Sequence, residues 1–84
     1  MNDNLIKYRD AFFEAFELEE DYELKDLKYQ SIDEWDSIGH MALMAELESS
    51  FDITIKTEDL IVFESYKQGV DILSRYDIII QIPE

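Results

Sequence analysis

The sequence predicts an all-α fold: a small four-helix bundle with a long first connection and a short third helix. Three observations predict it. Apolar residues recur at helical spacing along most of the 84 residues. Only two glycines and one proline interrupt the chain, and no repeat or low-complexity tract is visible. Helix-start signals stand at Asp36 and at Ser65.

The elements follow in order. A first helix is expected over about residues 3–17, capped by Asn2 or Asp3, with Leu5, Ile6, Phe12, Phe13 and Phe16 on its apolar face. The charged run at 17–21 ends that face. Residues 18–35 then form a long connection held by apolar anchors at Leu24, Leu27, Tyr29, Ile32 and Trp35. Connections this long without regular structure are often functional. A second helix begins at Asp36-Ser37 and ends near Ser50, with Ile38, Met41, Ala45 and Leu47 or Glu48 following one face. Asp36 suits both the cap and the positive end of the helix dipole.

Phe51-Asp52-Ile53-Thr54-Ile55 alternates like a strand, but between helices it reads as an extended loop burying Phe51, Ile53 and Ile55. Thr57 is placed to cap a short third helix over 58–62, with Leu60 and Phe63 inward. Ser65 followed three residues later by Gln68 matches a capping box and opens a last helix over 66–76, with Tyr66, Val70, Leu73 and Tyr76 inward. One domain over 1–77 is expected, followed by a tail, 78–84. That tail is apolar and β-prone, an aggregation hazard if left exposed, so it should fold back or meet a partner.

Composition excludes several functions. Without cysteine there is no disulfide, and a single histidine argues further against a metal site. Stability must come from packing, for which five phenylalanines, five tyrosines and one tryptophan are available. The formal charge of −14 repels nucleic acid and anionic membranes, leaving basic protein surfaces as better partners. The start Met1-Asn2-Asp3-Asn4 lacks a basic region and a long apolar run, so a cytoplasmic location is expected.

The informative segment is Trp35-Asp36-Ser37-Ile38-Gly39-His40-Met41, followed fourteen residues after the serine by Phe51-Asp52-Ile53-Thr54-Ile55. It resembles the acyl carrier protein family, in which an Asp-Ser-Leu-like triplet opens the second helix. The resemblance covers nearly the whole chain and implies a bundle of acyl-carrier type. It further implies that Ser37 carries a covalent 4′-phosphopantetheine, with Asp36 and Ile38 beside it. The arm would hold acyl or aminoacyl groups as thioesters, and Met41, Leu60 and Phe63 would line a cargo pocket. A phosphodiester on Ser37 would sit beside unpaired backbone N–H groups at a helix start, a natural anion site. The carrier itself would not be an enzyme, because the cofactor supplies the reactivity. Partners would be a phosphopantetheinyl transferase, a loading ligase and downstream transferases, with the carrier itself a monomer.

On the second helix the partner-facing positions would be Gly39, His40, Ala42 and Glu48. Fatty-acid-synthesis carriers present acids two and five positions after the serine, where this chain has Gly39 and Ala42. Only Glu48 matches a usual acidic position, so the recognition face is smaller and more apolar, and different partners are expected. Trp35 replaces the usual small residue and is expected beneath the loop. The departures point to a specialised stand-alone carrier serving a dedicated biosynthetic pathway. Three other readings compete. One is a carrier-like interaction module with unmodified Ser37. Another is a calcium sensor, disfavoured because no EF-hand spacing is present. The last is a hydrolase built from Asp36, Ser37 and His40, which adjacent residues on one helix rarely permit. His40 is instead expected to be solvated or to face a partner.

Overall fold

The computed structural model describes residues 3–81. Four helices appear among them: α1 (Asp3–Phe16), α2 (Ser37–Phe51), α3 (Thr57–Val62) and α4 (Tyr66–Ser74). The Asn2 cap, the Met1-Asn2 start and tail positions 82–84 lie outside the described residues.

α1 buries Tyr8, Ala11, Phe12 and Phe16, with Leu5 and Phe13 half-buried. Ile6, expected on that face, is 53% exposed. At four-residue spacing Tyr8, Phe12 and Phe16 lie one above the other on the helix. Their rings pack edge to face, Tyr8 on Phe12 at 5.0 Å and Phe12 on Phe16 at 6.0 Å. The Tyr8 hydroxyl donates to the Tyr66 carbonyl at 2.6 Å, joining α1 to α4. Burial pushes that hydroxyl well above the ordinary tyrosine value, and the neighbouring Tyr66 adds to the shift.

The long connection is pinned along its length. Leu24, Leu27 and Trp35 are buried, and Tyr29 and Ile32 are half-buried. Tyr29 N–H donates to Glu64 O at 2.8 Å and Tyr66 N–H to Leu27 O at 2.9 Å, a single antiparallel bridge onto the α3–α4 junction. Gln30 N–H donates to Trp35 O, closing a loop that drives the Trp35 indole inward. Trp35 is fully buried among Phe12, Phe16, Tyr29 and His40, beneath the loop as expected.

α2 departs most from expectation. Its buried residues are Gly39, His40, Leu43, Met44 and Leu47, whereas Ile38, Met41 and Ala45 are exposed. The reason is that α2 is apolar on every side, so periodicity names a helix without naming its inner face. Packing chose instead. Gly39 lies against the Glu34 carbonyl and Phe16, where a methyl group would overlap the backbone oxygen. Gly69 on α4 is similar, meeting Phe63 and Tyr8. Both glycines fall in the first turn of their helices, and each is there because another part of the chain approaches closely.

The remaining ends have local causes. Asp52 takes a left-handed conformation (φ 54°) and turns the chain out of α2. Phe51 is the last residue of α2 rather than the first of the extended segment; it and Ile53 are half-buried and Ile55 is buried, with residues 53–56 extended as expected. Thr57 does not cap α3. It is the first helical residue, after Lys56, which makes no side-chain cap bond. Leu60 is half-buried and Phe63 buried, as expected. Asp59, buried, accepts from the Tyr76 hydroxyl at 2.6 Å and pairs with Arg75 at 3.4 Å. Ser65 does cap α4, accepting from Gln68 N–H at 3.0 Å, but Gln68 Oε1 accepts from Glu64 N–H rather than from Ser65. α4 ends at Ser74, two residues early, in a left-handed turn at Asp77 with Ile78 N–H on Leu73 O. The tail then folds back: Ile78 and Ile80 are buried, and Asn4 Nδ2 donates to Ile79 O at 3.1 Å.

Candidate functional site

Ser37 stands at the first position of α2, exposed, at the end of the long connection. Its direction is set by the preceding residue. Asp36 is extended (φ −102°, ψ −168°), and its carboxylate accepts from Gly39 N–H at 2.8 Å. The Asp36 carbonyl takes His40 N–H at 2.8 Å. Of the four amides that a helix start leaves without intrahelical partners, those of Ser37 and Ile38 remain at the exposed end.

Beside Ser37 a groove of about 330 Å³ runs between α2 and α3, lined by Tyr29, His40, Met41, Leu60 and Phe63 among others. Thus the structure brings together Ser37 and the three expected pocket residues, Met41, Leu60 and Phe63. Ile38 points away, 79% exposed, into a shallower groove shared with Glu34, Asp36 and Ala42.

The expected partner-facing set divides. Ala42 is exposed. Gly39 and His40 are buried, correcting their placement on the outer face. Glu48 is half-buried and accepts from Ile55 N–H at 2.8 Å, so its carboxylate holds the loop leaving α2.

His40 is the residue the sequence reading misjudged most. Indole nitrogen only donates, so Trp35 Nε1–H at 3.0 Å makes His40 Nδ1 an acceptor. The ring proton then lies on Nε2, donated to Leu60 O at 2.8 Å. The imidazole lies nearly in the plane of the Trp35 indole, with centroids 6.2 Å apart and planes within 16°, the edge-to-edge arrangement that an in-plane N–H bond requires. With both nitrogens committed, His40 offers Ser37 no acceptor in this arrangement. The spacing Trp35…His40, five residues across a helix start, was the available signal.

The fully exposed residues of α2 are Ser37, Ile38, Met41, Ala42, Ala45 and Ser49, none of them charged, with half-buried Glu46 at their edge, in a chain of net charge −14. Ile61 (67% exposed) and Val62 (44%) on α3 extend this apolar surface. Neither was singled out beforehand. A six-residue helix can turn only part of the run Leu60-Ile61-Val62 inward.

Among the described residues no helix is long and apolar enough to cross a membrane, and no cluster of His, Cys, Asp or Glu could hold a metal ion. No protein-family model matches the chain, and neither the curated proteins nor the solved structures yield a match.

Proposed function

We propose that the protein is a carrier of acyl-carrier type, holding acyl or aminoacyl groups as thioesters on a phosphopantetheine arm attached to Ser37. The observation that carries the reading is the placement of Ser37. Its hydroxyl is exposed at the first turn of α2, aimed by the Asp36 cap, with the α2–α3 groove beside it. The helix order, the long pinned connection and the Asp-Ser helix start match the sequence resemblance. Two backbone N–H groups at the exposed end suit a phosphodiester oxygen. The arm would supply the thiol chemistry; the chain supplies attachment and orientation.

The outer side of α2, whose fully exposed residues carry no charge, supports partners that differ from those of fatty-acid synthesis, hence a specialised carrier. The same apolar strip also favours the second reading, an interaction module with unmodified Ser37. Intact mass after incubation with coenzyme A, magnesium and a broad-specificity phosphopantetheinyl transferase separates them. One added phosphopantetheine, absent in Ser37→Ala, is expected. No addition beside a positive control, with a dedicated transferase also tried, would leave the interaction module as the better reading.

A further inference from the structure

Given the carrier reading, on which this inference rests, the structure bears on what the arm can hold. We infer that the cargo is short or polar and stays outside the fold, and that His40 bars a long alkyl chain from the helix interior.

The route inward from Ser37 is the groove between Met41 and Leu60, and His40 and Phe63 line it. His40 bolts it from both sides: Nε2–H holds the α3 carbonyl of Leu60, and Nδ1 holds the Trp35 indole of the connection. A chain passing between α2 and α3 must part them. Parting breaks the bond to Leu60: its part-buried carbonyl can turn to water, but the imidazole N–H of buried His40 is left facing an alkyl chain, which is costly.

No space waits behind this bolt. Trp35, Leu43 and Leu47 are 0% exposed, and Met44 and Phe63 are 1% exposed. The Phe63 ring faces His40 at 6.2 Å and Phe12 at 6.5 Å, inside a continuous aromatic stack. Close-packed rings have few alternative rotamers, so they do not yield as a methionine-lined core would. The groove itself opens to water along Met41 (53% exposed) and Ile61 (67%). A long alkyl chain would leave most of its methylenes in water there, whereas short acyl, hydroxyacyl or aminoacyl groups lose little.

The chain has no cysteine, so Ser37→Cys provides a single labelling site. Linkers of pantetheine length are attached to it through a haloacetamide, ending in either an acetyl or a dodecanoyl group. The two conjugates are expected to melt within about 1 °C of each other. A dodecanoyl conjugate melting about 4 °C or more higher, the scale on which a domain this size reports newly buried apolar groups, overturns the inference. With His40→Ala added, the void should admit a few methylenes of the chain, and the dodecanoyl conjugate should then melt higher than the acetyl one. Equal melting there overturns the role given to His40. Because this attachment needs no transferase, failure of enzymatic loading counts against the carrier reading alone.

Discussion

Replacing His40 by leucine keeps most of the side-chain volume and removes both hydrogen bonds. Trp35 Nε1–H, on a side chain with 0% exposure, then has no acceptor. An orphaned buried donor costs about 1–3 kcal/mol. The Leu60 carbonyl is only part-buried and can turn to water, so it adds little. The cost of about 1–3 kcal/mol is set against a whole stability of about 4–12 kcal/mol for a domain this size. It should lower the melting temperature by about 4–24 °C. The assay is urea and thermal unfolding followed by far-UV circular dichroism in a double-mutant cycle with Trp35→Phe. In the Trp35→Phe background no indole N–H is left to orphan, so His40→Leu should cost about 1–2 kcal/mol less there. Equal costs in the two backgrounds would refute the buried His40–Trp35 bond.

Other perturbations test separate parts of the structure. Gly39→Ala should destabilise by about 1–3 kcal/mol, because the overlap is with the Glu34 backbone carbonyl and outweighs the gain in helix propensity; denaturant unfolding with an unchanged midpoint would contradict that close approach. Truncation after Asp77 removes the buried Ile78 and Ile80 and should cost about 1–3 kcal/mol once the freedom regained by the tail is subtracted. A melting temperature equal to wild type would mean the tail adds nothing to the fold. Tyr8 should govern alkaline unfolding. Its hydroxyl ionises less readily folded than unfolded, so its stabilising contribution is full below the unfolded value of about 10.0 and is lost as pH rises above it. Tyr8→Phe should give up about 0.5–1.5 kcal/mol at neutral pH through the lost bond to Tyr66 O, yet decline less steeply above pH 10.0. A parallel decline of both proteins would remove Tyr8 from that role.

Much of the fold was legible without coordinates. The helix starts at Asp36 and Ser65 are local events: a short side chain reaches an amide three residues on, and nothing distant intervenes. The anchors Leu24, Leu27 and Trp35 in the long connection were legible because isolated apolar residues among so many acids have only the interior to go to. The tail was legible only as a choice between folding back and meeting a partner, and Ile78 and Ile80 take the first. The position of Ser37 followed from the same local logic, since the residue after an N-cap stands at the exposed end of its helix.

What the sequence left open is what depends on residues far apart in the chain. α2 is apolar all round, so its periodicity was compatible with more than one inner face, and Ile38 and Met41 were assigned inward. Only the approach of the Glu34 backbone and Phe16 to Gly39 turns that side of the helix to the core. Once Gly39 faces inward, the helical pitch carries His40, Leu43, Met44 and Leu47 with it and leaves Ile38, Met41, Ala42 and Ala45 outside. The same rotation brings His40 onto Trp35 and Leu60 and moves Glu48 from the recognition face to the amide of Ile55. Local sequence determined where the helices begin and that a serine opens the second one. The rotation of that helix, and with it the identity of every side chain around the serine, was decided by packing across the whole domain, because close approach and buried hydrogen bonding act between segments that the sequence keeps apart.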